Sequence, residues 1–172
     1  MSMQSLRINV DIVMERVPLA NRWISETWRP FAVVPSPDPP MPPQPRLETN
    51  SRADRWRFPS HSIELHPTEA EGYFLNLTSP APCVFVMWRA SEDGAGPPVR
   101  PVLATVSYNE AGRFMDAGER VDTVALPAPI AEWMRPFVAA HYKPEPRKKV
   151  KRNDPFAEGA FVRDRRDGGT RE

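Results

Sequence analysis

Seven of the eleven residues from Pro35 to Pro45 are proline. Proline has no backbone N–H and a fixed φ, so this run cannot join a hydrogen-bonded ladder or continue a helix, and it favours polyproline II. The chain must therefore fold on either side of a stiff connection. Residues 35–58 are expected to form one long irregular loop that re-enters order at Trp56-Arg57-Phe58. Pro37 and Pro40, Pro39 and Pro42, and Pro40 and Pro43 also have the spacing of a PxxP ligand for SH3-like modules, but a stiff loop is the plainer expectation. Proline supplies 22 of the 172 residues, and its other copies punctuate short apolar runs.

Those runs read mostly as strands. Leu6, Ile8, Val10, Ile12 and Met14 alternate with Arg7, Asn9, Asp11, Val13 and Glu15, which predicts a half-buried strand. Phe31 to Val34 is a short strand bounded by prolines, and Ser62 to His66 alternates with Ile63 and Leu65 inward. Tyr73, Leu75 and Leu77 alternate with Phe74, Asn76 and Thr78 and are expected to form another strand. Cys83 to Trp88 is apolar throughout, as in a central strand buried on both faces. Val102–Val106 and Val121–Leu126 complete the set. Two helices come late. Ser107 and Glu110 have capping-box spacing, with Gly118 at the stop. Pro129 opens a helix in which Ile130, Trp133, Met134, Phe137 and His141 recur on one side, and Pro136 is expected to kink or split it. The fold class is α+β, mainly β: six or seven short, mostly antiparallel strands, as a curved sheet or partly open barrel, with two C-terminal helices.

Several chemistries find no support in the residues. A single cysteine, Cys83, excludes an intrachain disulfide framework, and its place in an apolar strand makes it a small core residue rather than a nucleophile. Gly94-Ala95-Gly96 is followed by two prolines and lacks the third glycine of a phosphate-binding loop. No stretch approaches the ~20 apolar residues of a membrane-spanning helix. Residues 1–7 lack a secretory n-region and h-region, so a cytoplasmic location is expected. Glu64 and His66 share a strand face, with Glu69 and Glu71 close by, and are weak candidates for a metal or an acid–base pair; a solvated polar face is the plainer reading. His61 and His66 face opposite sides of an extended strand and cannot share one ion.

Charge is unevenly placed. Residues 1–142 hold 13 basic and 16 acidic residues, whereas 143–172 hold 10 basic and 6 acidic residues; every lysine lies in the second group. One domain over 1–142 and a basic, disordered tail over 143–172 are therefore expected. Arg147, Lys148, Lys149, Lys151 and Arg152 form the strongest charge run. It suits a flexible tail, an acidic partner protein, an anionic surface or sequence-independent nucleic-acid binding, although the acidic balance of the domain argues against a dedicated nucleic-acid protein. Trp23 and Trp28, bordered by Arg22 and Arg29, carry the residue types enriched at binding hot spots, so they are candidates for a partner surface.

Three segments together resemble a small uncharacterised proteobacterial family. They run from Val13-Met14-Glu15-Arg16 through Pro18–Trp23 to Trp28-Arg29-Pro30, from Glu64-Leu65-His66 through Glu69–Tyr73 to Asn76-Leu77, and from Val106-Ser107 through Asp116–Glu119 to Trp133. Members of that family are encoded beside molybdenum-dependent formate dehydrogenases. The resemblance implies a non-catalytic accessory protein, an assembly factor or a minor subunit for such an enzyme, with the molybdenum cofactor entering only through the partner. Some relatives carry a label for molybdopterin-guanine dinucleotide biosynthesis, but this chain lacks the glycine-rich loop that a guanylyltransferase needs. A small metal- or cofactor-binding enzyme of molybdenum cofactor maturation is the alternative, and nonspecific nucleic-acid binding through 147–152 is the second.

Overall fold

The computed structural model describes residues 5–49 and 54–146. The chain divides into two units, the first ending at Tyr142, and the basic run 147–152 lies outside the described residues. Among the described residues the first unit is mainly β, with seven strands in two antiparallel sheets and three helices. β1 (Leu6–Pro18) and β2 (Glu26–Pro35) make a hairpin, β3 (Arg46–Thr49) and β4 (Asp54–Leu65) follow, and the spatial order is β2-β1-β4-β3. β5 (Cys83–Ala90) is the centre of the second sheet, between β6 (Val99–Thr105) and β7 (Val121–Ala125). The helices are α1 (Ala70–Leu77), α2 (Tyr108–Asp116) and α3 (Ala128–His141).

β4 lies against β6 and β2 against β7, so the two sheets face each other around one core. Val10, Ile12, Met14, Val33, Ile63 and Leu65 fill it from the first sheet, and Val84, Val86, Trp88 and Val124 from the second. Period-two alternation is the cause in each strand. β5 is buried on both faces, as its unbroken apolar sequence requires. Val84 and Val86 enter the core, and Phe85 meets Tyr108 of α2 edge-on at 5.9 Å.

Prolines sit where the ladders tolerate them. Pro30 lies in edge strand β2 beside the register shift at Val13/Met14, and Pro101 lies in edge strand β6 beside the shift at Met87/Trp88. An edge strand has an unpaired side on which a missing N–H costs nothing. β2 therefore extends through Pro30 and begins at Glu26, earlier than the short run Phe31–Val34 suggests. α3 runs as one helix through Pro136 and is not split there. Glu132, the residue four before it, is exposed, so the carbonyl that Pro136 leaves without a partner belongs to a solvent-facing turn.

The expectation of an irregular loop over 35–58 is corrected to 36–45. Arg46–Thr49 pairs with 54–57 in the register Arg46↔Arg57 to Thr49↔Asp54, and β4 is already formed at Asp54. Arg55 and Arg57 lie on the outer face while Trp56 and Phe58 turn to the core, an alternation too short and too charged to stand out beside the proline run. The strand expected over 73–78 is also corrected: Ala70–Leu77 is a helix, entered through the 3₁₀ turn Pro67–Glu69. Ala70, Tyr73 and Asn76 are buried at helical spacing. Eight residues of mixed polarity fit either period, and the tertiary contacts of Tyr73 and Asn76 decide between them.

Asn76 is buried and joins three strand-terminal groups. Its Nδ2 donates to the Cys83 carbonyl at 2.7 Å and to the Val106 carbonyl at 2.9 Å, and its Oδ1 accepts from the Cys83 N–H at 3.0 Å. Asn76→Ala orphans all three and should cost about 3 kcal/mol in urea unfolding. Tyr73 meets Phe137 edge-on and accepts the His66 N–H at 2.9 Å. Burial pushes its hydroxyl up to about 12. An unfolded tyrosine ionises near pH 10, so between pH 10 and 12 the native state holds a proton that the unfolded chain has lost. Stability should therefore fall by about 3 kcal/mol across that window. Tyr73→Phe should flatten this alkaline slope in denaturant titrations; an unchanged slope would count against it.

Candidate functional site

From Asp11 to Glu15 the outward face of β1 is not solvated. Asp11 is 1% and Glu15 5% exposed, and arginines from both neighbouring strands cover them. Glu15 Oε2 accepts from Arg29 Nε and Nη2 at 3.1 and 2.9 Å, and its Oε1 accepts from Arg55 Nε and Nη2 at 3.4 Å. Arg55 also lies over the Phe31 ring, 3.5 Å from its centroid. Asp11 Oδ1 accepts from Ser36 Oγ at 2.7 Å, and its Oδ2 accepts from Arg57 Nη1 at 3.3 Å. Arg57 Nε reaches Glu48 at 2.5 Å. Planar forks serving two carboxylates explain why this part of the chain uses arginine and no lysine.

At the end of this face the β1–β2 connection, residues 19–25, projects as a short tip. Arg16 braces its base, donating to Glu26 Oε2 at 3.0 Å and to Asp54 Oδ2 at 2.5 Å. The Leu19 N–H donates to the Ser25 carbonyl at 2.9 Å, closing the loop. The Asn21 side-chain oxygen accepts from the Trp23 N–H at 2.9 Å, an Asx turn that sets the direction of the tip. Trp23 is 86% and Ile24 56% exposed. The Arg22 guanidinium stands 5.8 Å from the Trp23 ring centroid.

The four residues singled out in 22–29 therefore separate. Arg22 and Trp23 stand together on the tip. Trp28 is half-buried in β2, packs against the core and directs Nε1 towards Glu26 at 3.4 Å, while Arg29 is engaged with Glu15. Sequence grouping missed this division because Arg22 and Trp23 lie in the β1–β2 connection, whereas Trp28 and Arg29 lie on opposite faces of β2.

The polar set of 64–71 is divided as well. Glu64 and His66 share a face and approach to 3.5 Å at the surface. Glu69 turns away, accepting from Ser107 Oγ at 2.7 Å and from Arg113 at 2.5 Å, and Glu71 is exposed on α1. Ser107 caps α2 by accepting the Glu110 N–H at 3.0 Å. Gly72 makes room for it, since a Cβ there would lie 2.3 Å from Ser107 Oγ. His141 lies against Phe137, with ring centroids 4.3 Å apart. Burial raises the Cys83 thiol, which keeps it protonated and weakly nucleophilic.

A polar cleft of about 240 Å³ lies between the proline segment and β1, with Arg7, Asn9, Asp11 and His61 on its walls and Met41 at its rim. Ser60, at φ 67°, forms the bulge that turns His61 towards it. His61 Nδ1 lies 3.2 and 3.1 Å from the Phe58 and Pro59 carbonyls, so a neutral ring carries its proton there. Asp11 is already paired with Ser36 and Arg57. The cleft can hold a small polar molecule by hydrogen bonds, but its acid is committed to protein partners.

The charge network yields an asymmetric prediction. Replacing Glu15 by Met leaves Arg29 and Arg55 able to turn to water and should cost about 1 kcal/mol. The double change Arg29→Met/Arg55→Met strands a buried carboxylate and should cost about 3 kcal/mol. Urea unfolding of both variants tests this; equal costs would contradict it.

The family model described as "Protein of unknown function (DUF3305)" matches residues 9–151. No curated protein and no solved structure matches the chain.

Proposed function

Since the chain belongs to the DUF3305 family of unknown function, we propose that it is a non-catalytic accessory protein that binds a molybdenum-dependent formate dehydrogenase or its maturation factors in the cytoplasm. The observation that carries the proposal is Trp23, almost fully exposed beside Ile24 on a braced tip. A large aromatic ring held in water gains most from a partner that removes it from water, and tryptophan and arginine dominate the energetics of such contacts. The resemblance of the segments in 13–30, 64–77 and 106–133 to proteins encoded beside formate dehydrogenases supplies the identity of the partner. The basic run 147–152 is a second contact in this proposal. The molybdenum cofactor belongs to the partner enzyme.

Consistent with a protein that acts by contact, the carboxylates near the cleft and at the helix caps are held by arginines and hydroxyls of the same chain. No helix among the described residues is long and apolar enough to cross a membrane.

The test is affinity purification of the tagged chain from its native organism, with mass spectrometry and metal analysis of what accompanies it. Formate dehydrogenase subunits should co-purify, and a deletion strain should show reduced molybdenum loading and formate oxidation. Normal loading and activity in that strain would refute the proposal.

A further inference from the structure

Resting on the accessory function just proposed, we infer that the 19–25 tip is a preorganised docking finger whose occupant is a folded protein presenting an apolar pocket rimmed by carboxylates. Trp23 and Ile24 project as adjacent apolar groups, and the framework beneath them is complete without a partner. The Leu19–Ser25 bond closes the loop, the Asx turn at Asn21 fixes Trp23, and Arg16 ties the base to Glu26 and Asp54. A loop already ordered in its binding conformation loses little entropy on association, so more of the contact energy appears as affinity.

Charge selects the kind of pocket. Arg22 is the only charged residue between Arg16 and Glu26, and it stands beside the Trp23 ring. A carboxylate at the rim of the partner pocket would complement it while the pocket encloses the ring. A bilayer surface is the poorer occupant. One cation and two apolar side chains on the tip make a weak interfacial anchor. Asn21 has a positioning role: it touches no partner but holds the backbone from which Trp23 projects.

Binding of the full chain to the purified molybdenum formate dehydrogenase of its native organism, measured by calorimetry over a range of salt, tests this. Trp23→Ala should weaken binding about 30-fold or more, the size of a hot spot. Arg22→Glu should weaken it about 10-fold and flatten its dependence on salt. Asn21→Ala should weaken it about 5-fold through a less favourable binding entropy, with Asn21→Ser, which keeps an acceptor, recovering most of the loss. Leu47→Ala, at an exposed site on β3, should bind as the wild type does. All four positions are exposed, and matching thermal melts would show that the variants fold. Wild-type binding that Trp23→Ala leaves intact would overturn the finger while sparing the accessory function. No wild-type binding would overturn the finger as a dock for the enzyme, whereas normal molybdenum loading in the deletion strain would separately overturn the accessory function. Trp23-dependent binding to phosphatidylserine-containing vesicles instead of the enzyme would replace the protein pocket with a membrane surface.

Discussion

Two carboxylates on β1, an interior strand of the first sheet, set the terms for everything around them. Asp11 and Glu15 are buried, and a buried ionised group is tolerable only when it is paired and fully hydrogen-bonded. Glu15 draws one arginine from β2 and another from β4, so its pairing also ties three strands together at that level. Asp11 draws Ser36, the first residue after β2, and Arg57 from β4, so the chain's departure into the proline segment is anchored to the same strand. Specific ionic contacts thus set strand neighbours and register on the outer face, while Val10, Ile12 and Met14 do so by packing on the inner one.

The second organising feature lies at the helical end. Asn76 satisfies backbone groups at the start of β5 and the end of β6 together, and Tyr73 meets the chain where it leaves β4. Ser107 links α2 to Glu69 just before α1, with Gly72 permitting the close approach. The helices are therefore attached to the sheets by polar bonds as well as by Phe137, Met134 and Ile130 in the core. Buried polar groups with complete partners favour a single arrangement, since any shift leaves one of them orphaned.

The tip at 19–25 follows from both. A sheet held by its ionic face and its core can extend a hairpin into water without support from the hairpin's own apolar residues. Trp88 and Trp23 show the contrast. Trp88 is buried on β5, with Nε1 donating to Asp122 at 2.6 Å and Arg120 over its ring, whereas Trp23 has Arg22 beside its ring and is otherwise left to solvent. Arg22 is the sequence neighbour of Trp23, whereas Arg120 comes to Trp88 from the chain just before β7, so the surface pair is local and the buried pair is made by the tertiary structure.

Local pattern alone determined the elements whose burial matches one period: β1, β4 from Ser62, β5, the capped start of α2 and the face of α3 that carries Ile130, Met134 and Phe137. It also determined that 36–45 could not be regular structure, because proline lacks the donor. Tertiary structure decided the rest. β3 and the first half of β4 are strands because arginines and carboxylates meet across their outer face while Trp56 and Phe58 reach the core on the inner one. Residues 70–77 are a helix because Tyr73 and Asn76 must reach Phe137 and Val106, far along the chain. The Arg/Trp grouping of 22–29 was legible as a candidate surface, but its division was not. Which side of a strand faces water depends on what packs against it, and that partner is distant in sequence.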